Sequence, residues 1–488
     1  MNILSAIDDP NLLGHAIRDP SSWRTWRAML ASAFGLPLDE YGLELFKQCT
    51  GRTVPPAAPV NSLYLVCGRR AGKSFCMALT ACYLAIFCDW QKYLSPGERA
   101  VILLIAGDRE QARILHRYCQ GILLAPILQN QIWNTTANEI EIKGKTTIEI
   151  GTRSYRAVRG RSICAALLDE SAFWRSDDSA NPDSEVVAAV RPSMATFPGA
   201  MLITASSPYA KRGILWDAHK RYFGKDDHET LVWVAPTRVM NPSVPQSFID
   251  SEFERDPASA NSEYNAEFRN DIAAFIDRDI VEGCVDRGVH ERLRLAGQQY
   301  VCFIDSAGGS GSDSFTGAIA HKEGNVLFLD AVSEYRPPFS PKNVVEEIAH
   351  WMKSYGVSRA QSDKWGGDFP IEEFAVHLIR VEASAKPKSD LYIDALPMLN
   401  SGKCRLLDNS RLVLQLCGLE RRTARGGRDS IDHGPGAKDD VANAAAGVLV
   451  LASGNVPMII TDAVLQWSRQ PALAMQRTLR TFEGGRMQ

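Results

Sequence analysis

Residues 66–75 read VCGRRAGKSF. Gly72, Lys73 and Ser74 supply the glycine, lysine and hydroxyl that close a phosphate-binding loop of the form G-x-x-x-x-G-K-[ST]. The first glycine of that pattern is missing: Cys67 stands in its place, and Arg69 and Arg70 lie inside the loop. The flanks decide the reading. The apolar run LYLVC (63–67) precedes the loop as a strand, and FCMALTACYLAIFC (75–88) follows it as a buried helix. A strand, a glycine-rich turn and a helix N-terminus together present unpaired backbone N–H groups at the positive end of a helix dipole, where phosphates bind. In that setting Lys73 reaches the β and γ phosphates of ATP and Ser74 holds Mg²⁺.

Outward from the loop, short apolar runs alternate with helical patterns. VILLIAG (101–107), CAALLD (164–169) and MLITAS (201–206) read as fully buried strands separated by helices, hence a parallel sheet covered on both faces. NEIEIKGKTTIEIGT (138–152) alternates with period two around a KGK turn and predicts an inserted hairpin. The run AALLDESAFW (165–174) ends a strand in two acids. Asp169 is placed to bind Mg²⁺, directly or through water, and Glu170 to polarise the attacking water. TASSP (204–208) ends the next strand in a polar position suited to sensing the γ-phosphate.

The chain has 488 residues, beyond the size of one core, so two domains are expected. A net charge of -3 gives no global basic signature, and any nucleic-acid partner must bind through local patches. The eleven cysteines show no zinc or disulfide spacing and read as buried thiols. The N-terminus lacks the basic region and apolar run of a signal peptide, and the 75–88 run is too short to span a bilayer. The boundaries read as a helical lead-in (1–60), an ATPase domain (61–240), a helical linker (241–298), a second domain (299–455) and a tail (456–488). In the second domain YVCFIDS (300–306), TGAIAH (316–321) and NVLFLDA (325–331) form a meander. A helix (341–356) and a fourth strand (359–364) follow, the element order of a ribonuclease-H-like core.

With these features the chain resembles the large terminase subunit of tailed bacteriophages. The likeness rests on GRRAGKS (68–74), LLDE (167–170), TASSP (204–208) and the acids of the second domain, in that order. It implies an α/β protein. An N-terminal P-loop ATPase domain of the additional-strand, catalytic-glutamate (ASCE) type has a parallel sheet, and a C-terminal ribonuclease-H-like nuclease domain has a mixed sheet. It implies an ATP-driven motor that moves viral double-stranded DNA into a procapsid and cuts concatemers with a Mg²⁺-dependent endonuclease, with Mn²⁺ as an alternative ion. The implied partners are duplex DNA, a small terminase subunit and a portal, with a homo-oligomeric ring on the portal, no membrane, and the host cytoplasm as location. A host helicase- or repair-type ATPase–nuclease is the alternative, and a non-catalytic DNA-binding protein a third class.

The nucleotide-contacting set is Gly68, Arg69, Arg70, Ala71, Gly72, Lys73, Ser74 and Asp169, with Glu170 as general base. For the nuclease, two-metal cleavage needs converging carboxylates. Asp305 ends the first strand of the second domain and Asp363 the fourth. Asp439 and Asp440 open the alanine-rich stretch DDVANAAAGVLVLAS (439–453), with Asp440 favoured as the third ligand and Asn443 one turn on. Asp313 and His433 are weaker candidates. One of Arg153, Arg156, Arg159 or Arg161 is a candidate trans-acting finger, or Arg69 or Arg70 acts in cis. Arg411, Arg421, Arg422, Arg425 and Arg428 are candidates for phosphate contacts.

Overall fold

The structure is a computed structural model that describes residues 1–151, 160–174, 182–363, 368–423 and 429–454. The chain forms two compact units, Met1–Gly283 with Asn409–Ala442, and Cys284–Asp408 with the chain from Asn443 onward.

The first unit is built on an eight-stranded sheet. Its strands are β1 (Ser62–Cys67), β2 (Ala100–Ile105), β3 (Ile132–Thr135), β4 (Glu139–Ile142), β5 (Thr146–Ile150), β6 (Ile163–Asp169), β7 (Met201–Ser206) and β8 (Thr230–Ala235). They lie in the order β3-β4-β5-β2-β6-β7-β1-β8. All neighbours from β5 to β8 are parallel. The central strands are buried along their whole length, as their unbroken apolar runs require when helices cover both faces. The expected hairpin is present as β4 and β5, but it extends the sheet: β5 pairs in parallel with β2, and β3 adds an outer strand. The helix Lys73–Phe87 follows β1 and is buried through Ala85. It is a core helix, as its length predicts, and among the described residues no helix is long and apolar enough to cross a membrane. The topology places β7 between the loop strand β1 and the acidic strand β6. The ends of three adjacent parallel strands therefore meet beside one helix N-terminus, the crevice where such sheets bind ligands.

A smaller antiparallel sheet also belongs to this unit. It joins β9 (Ile272–Ala274) to a hairpin that returns late in the chain; its strands, numbered β17 (Leu419–Thr423) and β18 (Asp429–His433), give the order β18-β17-β9.

The second unit holds β10 (Val285–Asp286), β11 (Tyr300–Asp305), β12 (Phe315–Glu323), β13 (Val326–Tyr335), β14 (Arg359–Ser362), β15 (Arg380–Ala383) and β16 (Cys404–Leu407). Their order is β10-β16-β13-β12-β11-β14-β15. The meander β11–β13 is antiparallel, and β14 and β15 add in parallel beside β11. This is the mixed sheet of a ribonuclease-H-like core. The helix Asp440–Ala452 brings Gly447 against β11 so closely that a Cβ would sit 2.6 Å from the Phe303 ring. Small residues in that helix let it lie flat on the strand.

Candidate functional sites

In the first unit Cys67 is the last residue of β1 and is wholly buried. Burial pushes its thiol up to about 12. The strand therefore runs one residue further than the usual loop pattern, and the turn begins at Gly68, whose N–H donates to the Ala235 carbonyl at 3.2 Å. Gly72 caps the following helix with φ at 102°, a left-handed conformation that favours glycine.

Lys73 is 4% exposed, and its ammonium is shared among the Cys67 and Gly68 carbonyls (3.2 and 3.3 Å), Ser207 Oγ (3.2 Å) and Glu170 Oε1 (3.3 Å). Ser74 Oγ donates to Asp169 Oδ2 at 2.7 Å. The other oxygen, Asp169 Oδ1, is buried with no hydrogen-bond partner. Burial first, then the Glu170 carboxylate, push the Asp169 carboxyl up to about 6, against the pull of Ser74 and Lys73. Glu170 has φ at 51°; its N–H donates to the Ala205 carbonyl at 2.7 Å. Its Oε2 lies 3.0 Å from Ser206 Oγ and accepts from the Ser207 N–H at 3.3 Å. The TASSP strand end thus grips the second acid of LLDE. A cavity of about 610 Å³ opens here, lined by Arg69, Glu170, Ser207 and Glu263 with Gly107, Asp108, Gln111, Phe173 and Gly436.

The donor set fits a hard divalent cation: a serine hydroxyl beside a carboxylate with an orphaned buried oxygen, in an all-oxygen setting. The arrangement can hold a triphosphate at Lys73 and the helix N-terminus, and can present a carboxylate to a water at Glu170.

Sequence reasoning missed the residues that grip the loop from outside. Thr237 Oγ1 donates to the Arg69 carbonyl at 2.8 Å, and Asn241 Nδ2 to the Arg70 carbonyl at 2.8 Å. The Arg69 N–H donates to the Glu263 carbonyl. A Cβ on Gly68 would meet Thr237 Oγ1 at 2.2 Å and the Tyr264 carbonyl at 2.8 Å. The region read as a linker therefore clamps the loop.

Of the finger candidates, Arg153, Arg156 and Arg159 lie outside the described residues. Arg161 pairs with Glu149, which raises its pKa further. Arg69 faces the cavity, 65% exposed, with Glu263 Oε2 at 3.9 Å from its Nη1. Among the late arginines, Arg421 pairs with Asp429 at 3.6 Å. Arg422 pairs with Glu420 at 3.3 Å and donates to the His433 carbonyl at 2.9 Å. These two hold the hairpin together, so their charges are engaged within the fold. Arg425 and Arg428 lie outside the described residues.

In the second unit Ile304 and Ser362 pair in register, so the chain ends of β11 and β14 carry Asp305 and Asp363 side by side. Asn443 Nδ2 donates to Asp305 Oδ2 at 2.8 Å and to Asp363 Oδ2 at 3.2 Å. Asn443 is 1% exposed, and its Oδ1 is buried without a hydrogen-bond partner. Two carboxylates are thus held together by one neutral amide, which leaves them poised for a cation between or beside them. Asp440 opens the helix one turn before Asn443, on the same face. Asp439 is buried in the first unit's segment, where His433 Nε2 lies 3.9 Å from its Oδ1 and Asp432 completes a cluster. Its adjacent position on the chain sends it to a different set of neighbours from Asn443. Asp313 is exposed on the loop before β12.

The two sheets and their strand-end acids define a P-loop ATPase-type unit joined to a ribonuclease-H-like unit. Residues 64–182 match the family described as terminase large subunit, T4likevirus-type, N-terminal. The resemblance carried by the motifs is thereby borne out: the chain is similar to the large terminase subunit. A search of curated proteins found no match. Among solved structures, the chain is similar to the large terminase of bacteriophage HK97 at 15% identity. That likeness covers 88% of this chain and 100% of that one, with a TM-score of 0.38. The large terminase of a thermophilic bacteriophage, in its second crystal form, is 12% identical over 85% of this chain and 99% of its own (TM-score 0.37). The large terminase nuclease from the thermophilic phage G20c is 15% identical over 35% of this chain and 94% of its own (TM-score 0.30).

Proposed function

We propose that the protein is a DNA-packaging motor: the first unit hydrolyses ATP to move duplex DNA into a procapsid, and the second cuts the DNA. One observation carries the reading. Lys73, Ser74, Asp169, Glu170 and Ser207, spread over 135 positions of sequence, converge at the ends of β1, β6 and β7. A polar, water-filled surface would have no reason to bury a lysine and two acids together, because isolated buried charges are costly.

In this reading Lys73 leaves Glu170 for the β and γ phosphates, and the freed Glu170 accepts a proton from the attacking water. Ser206 and the Ser207 N–H orient that carboxylate. Ser74 and Asp169 would hold Mg²⁺, which supplies charge neutralisation at the phosphates. In the second unit Asp305, Asp363 and Asp440 would hold the ions of a two-metal nuclease, Mg²⁺ or Mn²⁺, which lower the pKa of water and stabilise the leaving oxygen. A small terminase subunit, a portal and a ring of copies in the host cytoplasm complete the proposal.

The test separates the two chemistries. Glu170→Gln should abolish ATP turnover and keep nucleotide binding and DNA cleavage; Asp305→Ala should do the reverse. Loss of both activities in either variant would refute the two-site assignment. Robust unwinding of a duplex would refute packaging in favour of a helicase-type role.

A further inference from the structure

We infer that Glu263 is a positioning residue that competes with the γ-phosphate of ATP for Arg69, so that the helix Pro257–Asn265 reads which nucleotide is bound. The inference rests on the ATP-site reading above and adds to it a residue that no loop or strand motif supplies.

Glu263 enters the cavity from outside the sheet. Its backbone carbonyl accepts the Arg69 N–H, which anchors the helix to the loop whatever the side chain does. Its carboxylate is 22% exposed and stands 3.9 Å from the Arg69 guanidinium, and both residues line the same cavity as Glu170. Burial raises the Glu263 carboxyl, Arg69 draws it down, and Glu170 raises it again. In the nucleotide-free protein, then, the cavity holds two carboxylates and one arginine whose partner is the outer of the two. The next residue, Tyr264, places its carbonyl where a Gly68 side chain would be. The helix is therefore tied to the loop at two successive residues.

A γ-phosphate carries more negative charge than a carboxylate and accepts from guanidinium in bidentate fashion, so it wins Arg69. ADP has no such group and leaves Arg69 with Glu263. The pair breaks when ATP binds and re-forms when the γ-phosphate departs. Because Glu263 and Tyr264 sit on one helix with their backbone on the loop, the exchange is felt by that helix directly.

The test uses the full-length chain and titration calorimetry with Mg·ATP-γ-S and Mg·ADP. An exposed pair of this kind is worth up to about 1 kcal/mol, so Glu263→Gln should tighten ATP-γ-S binding about two- to fivefold and leave ADP unchanged. Glu263→Asp keeps the charge and shortens the reach, and should behave like the glutamine variant. In an Arg69→Ala background neither change should alter ATP-γ-S affinity. Equal tightening for both nucleotides, wild-type behaviour of Glu263→Asp, or persistence of the effect without Arg69 would show that Glu263 acts only as a general negative charge. No change in Glu263→Gln would overturn the proposal outright. Lys73→Ala serves as the control: undiminished binding there would instead remove the ATP-site reading itself.

Discussion

Replacing Asp169 by asparagine should reverse the order of stability between wild type and variant as pH rises. Asp169 is held at about 6 in the fold, chiefly by burial and by Glu170, whereas an aspartate in the unfolded chain titrates near 3.9. The folded value is raised, so this group favours folding most below pH ~4, and that contribution is lost as pH climbs through 6. The difference of about two pH units corresponds to about 3 kcal/mol between pH 4 and pH 8. The asparagine carries no such term. It keeps an oxygen for the Ser74 hydroxyl, but it places an amide N–H where Asp169 Oδ1 now lies unpartnered, at a cost of about 1–3 kcal/mol. At pH 4 the variant should therefore be the less stable by about 2 kcal/mol, and at pH 8 the more stable by about 1 kcal/mol. Urea unfolding followed by circular dichroism, without nucleotide or divalent ion, measures this. The transition of the first unit is identified as the one that Mg²⁺ and ATP-γ-S move in the wild type, since two units need not unfold together. A difference between the proteins that stays constant from pH 4 to pH 8, or that moves the other way, would refute the account of Asp169 as a carboxylate destabilised by its surroundings.

Gly68→Ala should weaken ATP binding more than tenfold and destabilise the first unit by about 1–3 kcal/mol, because the new methyl meets backbone atoms of Thr237 and Tyr264 that cannot swing away; calorimetry and urea midpoints check the two effects. Glu420→Ala should cost about 3–5 kcal/mol in the same unit, since the fully buried carboxylate joins the Tyr209 hydroxyl (2.8 Å), Arg212 and Arg422, and its loss strands their polar groups; a cost below about 1 kcal/mol in urea unfolding would dismiss it as a keystone. Asn443→Asp should lower the metal-free melting temperature of the second unit, by removing the two hydrogen bonds to Asp305 and Asp363 and setting a third negative charge against them. Added Mg²⁺ should recover more stability in that variant than in wild type, as calorimetric melts with and without the ion would show.

How far the sequence could be read depended on the range of the interactions concerned. The strands β1, β2, β6 and β7 announce themselves as unbroken apolar runs, because a strand covered on both faces has no polar positions to blur it. Asp169 and Glu170 were legible for the same reason: they are the first polar residues after such a run. β17 and β18 were not. LERRT and DSIDH carry charges on both faces, and what makes them a hairpin is Arg421 on Asp429, Arg422 on Glu420 and pairing to β9 nearly 150 residues earlier. No local pattern encodes that. The same charges looked, in the sequence, like arginines available to DNA. Counting them as solvent-facing requires knowing that no carboxylate lies opposite, and that is a tertiary fact.

The loop itself shows why a motif can be found correctly and explained incompletely. A glycine in a phosphate-binding loop is ordinarily read as room for the phosphate. Gly72 fits that account, with φ at 102° at the helix start. Gly68 does not: the space its missing side chain leaves is filled by Thr237 and Tyr264, on the far side from Lys73's partners. The two glycines answer to different constraints, one to the ligand and one to the clamp. The substitution of Cys67 for the pattern's first glycine follows from the second. Once the turn starts at Gly68, position 67 is ordinary strand, buried and paired with Ala235, and a small apolar side chain suits it better than a glycine would. The altered loop is then the mark of a loop held from outside, and the residues that hold it, 237 to 264, are where a change at the phosphates first leaves the nucleotide pocket.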